Sequence, residues 1–167
     1  VPVMFFGFPF TAMLPLVTDS MLGLGSEEFG SLLAVSAAGA LLASSQLSMR
    51  PCASNWNYTR LYAGLFGISL VGLPQVKGFL SAAVVLFAVG FFGQAYRTSS
   101  RMLFQDIVPR EKAGRMMGLA LMDRGLIPLG VMLVGLVAEQ FDPRSAVFTM
   151  GFGCLVSVGL LFPPKTL

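Results

Sequence analysis

The chain contains no histidine, and that absence removes several function classes. His-ligated haem, histidine-box iron chemistry and imidazole-based acid–base catalysis all need a residue that is not there. Charge is nearly as scarce. Asp, Glu, Lys and Arg make up 11% of the 167 residues, against about 25% in an ordinary soluble domain, so there is little from which to build a water-facing surface. Cysteine occurs only twice, as Cys52 and Cys154, without a CxxC partner. Both read as small apolar packing residues. The net charge of +3 does not point to nucleic acid, because the basic residues fall at the ends of apolar runs. No cofactor or metal site is expected, and an enzyme would need a catalytic constellation that the sequence does not offer.

What is abundant is apolar. Hydrophobic residues make up 55% of the chain and the mean hydropathy is +0.78. Six apolar stretches follow one another, at 1–17, 29–48, 61–73, 79–96, 116–138 and 145–162. Several approach the ~20 residues that cross ~30 Å of hydrocarbon. The third, short as drawn, is expected to start near Tyr58 and end near Val76. In lipid, backbone groups must be satisfied within each segment, so the expected fold is an all-α membrane protein, a single bundle of six transmembrane helices over residues 1–167. No signal peptide is visible, and the chain opens at Val1 already inside an apolar run. A piece of a longer protein, its first span cut short upstream, is therefore expected.

The connectors carry helix punctuation. Ser26-Glu27-Glu28 places a capping side chain and two acids at a helix start. Asp142-Pro143 offers a cap followed by proline at the first helical position, and Pro163-Pro164 closes the last span. Charge sets sidedness. With six spans, one face collects Arg50, Arg60, Arg97, Arg101, Arg110, Lys112, Arg115 and Lys165, the other only Lys77 and Arg144. The positive-inside bias makes the second, fourth and final connectors cytoplasmic.

A faint repeat runs through the chain. Residues 84 positions apart match at Glu27 and Glu111, Gly30 and Gly114, Arg60 and Arg144, and Gly67 and Gly151; Phe5-Phe6-Gly7 precedes Phe91-Phe92-Gly93 by 86. Because that offset holds three spans, equivalent helices would run in opposite directions, as in a 3+3 inverted repeat.

The fifth stretch carries an adjacent acid and base, Asp123-Arg124. Asp123 lies eight residues beyond Arg115, about 12 Å deeper at 1.5 Å per residue. Pro128 has no N–H, so the carbonyl of Arg124 loses its helical partner. Two readings stand: a substrate- or proton-handling site facing a wet cavity, or a structural pair buried between helices. Charge at this depth costs at least a few kcal/mol.

The most specific motif is Gln105-Asp-Ile-Val-Pro-Arg-Glu-Lys-Ala-Gly-Arg, followed by Pro128-Leu-Gly130 and Gly135. It resembles the major facilitator superfamily, in particular its drug and siderophore exporters of the enterobactin-exporter type. Gln105, Val108, Pro109, Gly114, Arg115, Pro128, Leu129 and Gly130 carry the match, while Ala113 stands where the family's loop has the first Arg of Arg-Gly-Arg. The family's second signature, after the second helix of each half, is degenerate at Ser48–Asn55, where only Arg50 fits.

The resemblance covers essentially the whole chain as the carboxy-terminal half of a twelve-helix transporter. It implies that the first and fourth spans line a central cavity, with Phe5, Phe6, Phe10, Thr11, Phe87, Phe91 and Gln94 as lining candidates beside Asp123 and Arg124. Pro9 and Pro128 are the expected helix kinks. On the cytoplasmic side Arg101, Asp106, Arg110, Glu111 and Arg115 are candidates for a gate network, or equally for topology and headgroup binding. Small residues in the second span (Ala34, Ser36, Ala37, Ala38, Gly39, Ala40, Ala43, Ser44, Ser45) allow close helix approach. They read as packing, with a sliding surface as the second possibility.

The expected function is transmembrane transport of a small molecule by alternating access, as proton-coupled efflux of amphipathic compounds. Its partners would be the substrate, protons, the lipid bilayer and an amino-terminal six-helix half, in a bacterial inner membrane, and not nucleic acid. The alternative is a non-transporting six-helix scaffold or complex subunit.

Overall fold

The computed structural model describes residues 7, 26–49, 55–76, 78–107, 118, 125, 128–132, 135 and 143–161. All regular structure among them is helical. Four α-helices are delimited: α1 (Ser26–Ser48), α2 (Trp56–Gly72), α3 (Phe79–Ile107) and α4 (Pro143–Leu161), with a 3-10 turn over Leu73–Gln75. They coincide with the second, third, fourth and sixth apolar stretches. Of the first and fifth stretches, Gly7, Gly118, Gly125, residues 128–132 and Gly135 are described, all helical.

Two of these helices are long and apolar enough to cross a membrane, over Glu27–Ser48 and Phe79–Asp106. Helix α2 is 17 residues, about 26 Å, and the 3-10 turn adds roughly 6 Å. Helix α3 is 29 residues, about 44 Å, well beyond a hydrocarbon core of about 30 Å. Its apolar part ends at Tyr96, where the fourth stretch was drawn to end. The helix itself continues for eleven more residues carrying Arg97, Arg101 and Asp106.

The boundaries have local causes. At the start of α2, Asn55 is extended (φ −122, ψ 132) and its side-chain oxygen accepts from the Asn57 N–H at 3.0 Å, which satisfies one of the free donors of the first turn. Pro74 cannot continue the α-helical hydrogen bonding, so the chain tightens into the 3-10 turn and Val76 leaves it extended. Ser26 is the first helical residue of α1, with Glu27 and Glu28 in its first turn, and Pro143 is the first residue of α4. Within the helices, serine hydroxyls donate back to the preceding turn: Ser44 to the Ala40 carbonyl, Ser69 to Leu65 and Ser157 to Gly153. This is how a hydroxyl is satisfied where water is absent.

Helix α3 is central. From Val85 to Ser100 no residue is exposed, and α3 packs against both α1 and α2, while α2 also packs on α4. The main core joins Leu32 of α1 with Ala63, Phe66 and Leu70 of α2, Ala82, Leu86, Val89 and Tyr96 of α3, and Val147, Met150 and Cys154 of α4. The Phe66 ring is seated against two glycines, Gly7 from the first stretch and Gly93 from α3, where any Cβ would meet it. Outward faces are the reverse of a soluble protein's. Leu41 (72%), Ile68 (59%), Leu80 (78%) and Phe152 (67%) stand exposed. So much uncovered apolar surface on several helices suits a hydrocarbon surrounding.

Helices α1 and α3 approach through glycine. A Cβ on Gly39 would run into the Phe87 carbonyl oxygen and lie 3.1 Å from the Phe91 nitrogen. One on Gly90 would run into the Ser36 carbonyl oxygen. Later residues of α1 meet later residues of α3 (Ser36 with Gly90, Ser44 with Gln94), so the two helices run parallel.

Helices α2 and α4 cross antiparallel, and the crossing is reciprocal. A Cβ on Gly67 would stand 3.0 Å from Leu155 Cδ2, and one on Gly151 would stand 2.6 Å from Val71 Cγ2 and 3.3 Å from the Gly67 carbonyl oxygen. Gly151 lies 84 positions after Gly67 and Leu155 lies 84 after Val71. The two contacts therefore exchange under one offset, as contacts do across a two-fold axis. The buried described positions of α4 are Val147, Met150, Gly151, Cys154 and Ser157. Stepping back 84 residues gives Ala63, Phe66, Gly67, Leu70 and Leu73, all of them buried.

Candidate functional site

The polar groups that the described helices bring together lie on α3 and its seam with α1. Gln94 is half-buried, and its side-chain amide donates to the Ser44 hydroxyl of α1 at 3.1 Å. That hydroxyl in turn donates to the Ala40 carbonyl at 3.0 Å. The result is a short chain of hydrogen bonds from one helix to the backbone of the other. One turn earlier on α3, Phe91 packs against Ala43, Leu47 and Ala95 and makes an edge-to-face contact with Phe92, centroids 5.3 Å apart and planes at 87°. Phe87 is half-buried, and its carbonyl faces Gly39. Of the expected lining residues, the structure thus brings Phe87, Phe91 and Gln94 to the α1 seam.

Further along α3 the character changes. Arg97 is half-buried and holds an interaction. Ser99 is wholly enclosed, and its hydroxyl has no hydrogen-bond partner. An unmet buried hydroxyl costs roughly 1–3 kcal/mol, so it is a place where the packing is not at its polar optimum. The residues Arg97-Thr98-Ser99-Ser100 are a visible polar run, but nothing in their order distinguishes the enclosed hydroxyl from its neighbours.

Of the expected gate residues, Arg101 and Asp106 are described, both exposed on the last turns of α3. They are five residues apart, which places them about 140° apart around the helix, and no ion pair joins them. Arg110, Glu111 and Arg115 lie outside the described residues. So do Asp123, Arg124, Thr11, Phe10, Phe5, Phe6 and Pro9. Pro128 is described, helical and exposed, with Leu129 and Met132 also exposed and Gly130 buried between them. Cys154, expected as a packing residue, is in no disulfide and is buried in the core beside Gly7. Among the described residues no group of His, Cys, Asp or Glu is arranged to hold a metal ion.

The arrangement binds helix to helix with sparse polar contacts in an apolar surrounding, and offers no nucleophile–base pair among the described residues. Comparison with known proteins points the same way. The chain matches no family model and no solved structure. It is 31% identical, over 154 residues, to the staphyloferrin A transporter of Staphylococcus aureus. The match takes in 92% of this chain and 38% of the relative's length, so the chain spans less than half of that protein. The likeness supports transport in general and agrees with the expectation that the chain is not an enzyme. With the two helices long and apolar enough to cross a membrane, it suggests an integral membrane protein.

Proposed function

We propose that the chain is the carboxy-terminal six-helix half of a major facilitator transporter that exports a small amphipathic molecule in exchange for protons. The observation that carries this is the alignment of nearly the whole chain with a protein named as a transporter of staphyloferrin A. A substrate of that chemical class is the one to try first. The reciprocal α2–α4 crossing supports a 3+3 inverted arrangement, since its offset is that of the sequence repeat. The one-sided distribution of arginine and lysine supports a cytoplasmic carboxy terminus in a bacterial inner membrane.

In this reading the bundle rocks against an amino-terminal mate around a midplane site. The site holds Asp123 and Arg124 on the fifth span with Thr11 and Phe10 on the first, and α3, carrying Phe91 and Gln94, forms a wall. Asp123 takes up and releases the proton, because a neutral carboxyl crosses an apolar barrier far more cheaply than a carboxylate. Arg124 keeps the carboxylate ionised until an anionic substrate competes for the guanidinium. Pro9 and Pro128 each leave a backbone carbonyl of the preceding turn without its helical partner. Arg101, Asp106, Arg110, Glu111 and Arg115 close the cytoplasmic side in one of the two states.

The test is efflux from proteoliposomes containing the full-length protein, with staphyloferrin A as substrate and an imposed proton gradient. Wild type should transport, and Asp123→Asn should abolish the response to the gradient while leaving exchange down a substrate gradient. Unchanged proton-driven transport in Asp123→Asn would remove Asp123 from the role. No transport by wild type in either direction would remove the reading.

A further inference from the structure

One aromatic ring of α2 stands between two helices of the proposed cavity wall. Phe66 is wholly buried, and glycines of two other helices meet it. A Cβ on Gly7, in the first apolar stretch, would run into Phe66 Cε1 and lie 3.1 Å from Cζ. One on Gly93, in α3, would lie 2.9 Å from Cε2 and 3.2 Å from Cδ2. The two backbones thus press on opposite edges of the same ring. At Gly93 the nearest atoms all belong to Phe66; at Gly7 they belong to Phe66 and to Cys154 of α4, whose Sγ would stand 2.9 Å from the added Cβ. Each glycine closes the same tripeptide, Phe5-Phe6-Gly7 and Phe91-Phe92-Gly93.

Because neither glycine has a side chain, the separation of the two backbones is filled by the ring itself. A planar ring has no internal torsions, so its width is a fixed length, unlike that of a flexible side chain such as Met. Packed interiors tolerate neither overlap nor a void of that size. The same glycines sit beside residues proposed for the site. Phe10 and Thr11 come one turn after Gly7, and Gln94 directly follows Gly93.

We infer that Phe66 is a positioning residue whose ring sets the spacing between the helix of Gly7 and α3, and through it the width of the substrate site. The spacing stands on the ring geometry alone; its consequence for substrate rests on the reading that these two spans line the cavity. Phe66 acts from behind the wall, out of contact with substrate.

Cysteine cross-linking in membranes reads the spacing without transport. The full-length protein has every native cysteine replaced, Cys154 by alanine, and carries Gly7→Cys with Gly93→Cys. A thiol oxidant is the probe, and bridging is scored after denaturation by loss of the gel shift with maleimide–polyethylene glycol. A disulfide needs Cβ atoms about 3.5–4.5 Å apart, which the ring's width prevents. The pair should cross-link in Phe66→Ala and not with Phe66 retained. Cross-linking past the retained ring, or none in Phe66→Ala, would overturn the spacing. If Phe66→Ala fails to fold, unfolding of milder variants decides: Gly93→Ala should destabilise the wild type and be tolerated in Phe66→Leu, where Cε2 is gone. Equal destabilisation in both backgrounds would overturn the spacing as well. In the staphyloferrin A assay, Phe66→Leu should raise KM roughly twofold to thirtyfold with kcat nearly kept, and adding Gly93→Ala should bring KM back. An unchanged KM in Phe66→Leu would overturn the role at the site. No transport by wild type would remove the transport reading and leave the cross-link result to decide the spacing.

Discussion

The glycine contact between α1 and α3 allows a quantitative test by the addition of one methyl group. In Gly90→Ala the new Cβ would run into the Ser36 carbonyl oxygen and lie 2.8 Å from both the carbonyl carbon and Oγ of Ser36. These are mostly backbone atoms of a packed helix, so relief requires the helices to part by about 0.5–1 Å. A gap of that size forfeits a quarter to a half of each contact, and a contact is worth roughly 0.1–0.2 kcal/mol. For some twenty heavy-atom contacts along the seam the loss is about 0.5–2 kcal/mol. Stretching the Gln94–Ser44 bond adds about 0.6 kcal/mol. Against this, alanine gains up to roughly 1 kcal/mol over glycine in a helix interior. The balance leaves Gly90→Ala destabilised by up to about 2 kcal/mol. Gly64→Ala, in the middle of α2 with nothing within 4 Å of its added Cβ, keeps only the gain and should be neutral or stabilised by up to roughly 1 kcal/mol. Reversible unfolding of the full-length protein in mixed detergent–lipid micelles measures both. If Gly90→Ala proves as stable as Gly64→Ala, the close approach of α1 and α3 is not as described.

Two further outcomes follow from the same geometry. In a cysteine-free background, Leu41→Cys and Phe152→Cys stand on exposed apolar faces but should resist a membrane-impermeant maleimide in intact membranes and react in urea, whereas Arg101→Cys at the exposed end of α3 should react at once in inside-out vesicles; rapid labelling at Leu41 would refute a lipid-facing α1. Because Gly67 and Gly151 exchange contacts across the α2–α4 crossing, Gly67→Val and Gly151→Val should each cost about 1–3 kcal/mol, and their combination should cost clearly less than the sum. Strict additivity in the same unfolding assay would argue against a shared crossing.

Much of the helix plan was legible from hydropathy, and its errors are informative. The end of α3 was placed at Tyr96 because apolar composition stops there. The helix runs on to Ile107 because Arg, Ser, Met, Leu and Gln are tolerated in a helix whether or not lipid surrounds it. Hydropathy reports the bilayer, and the ladder of backbone hydrogen bonds reports the helix. At α2 the apolar run begins only at Leu61, but the expected start near Tyr58 lies two residues from the helix start that Asn55 caps, and the expected end near Val76 is where the 3-10 turn closes. The site was less legible. Gln94 was recognisable as a polar residue on a helix expected to line a cavity, whereas its partner Ser44 was one of nine small residues in the second span. Pairing them needs knowledge of which faces meet and in what register, and no local pattern encodes that.

The repeat shows the same limit from the other side. Between α2 and α4 the 84-residue offset preserves almost no identity beyond Gly67 with Gly151 and Arg60 with Arg144, yet all five buried described positions of α4 recur as buried positions in α2 and the 3-10 turn that follows it. The reason lies in what each position must do. A buried apolar site accepts Phe or Met, Leu or Cys, Ala or Val, provided that the local volume is filled, so its identity drifts. A residue at a helix crossing has no such latitude, since any Cβ at Gly67 or Gly151 meets the opposite helix at 3.0 Å or less. Identity survives where a single residue type fits, and burial survives everywhere that the architecture does. In a bundle whose outer and inner faces are both apolar, the hydrophobic pattern cannot reveal which face is buried. The glycines at the crossing mark it.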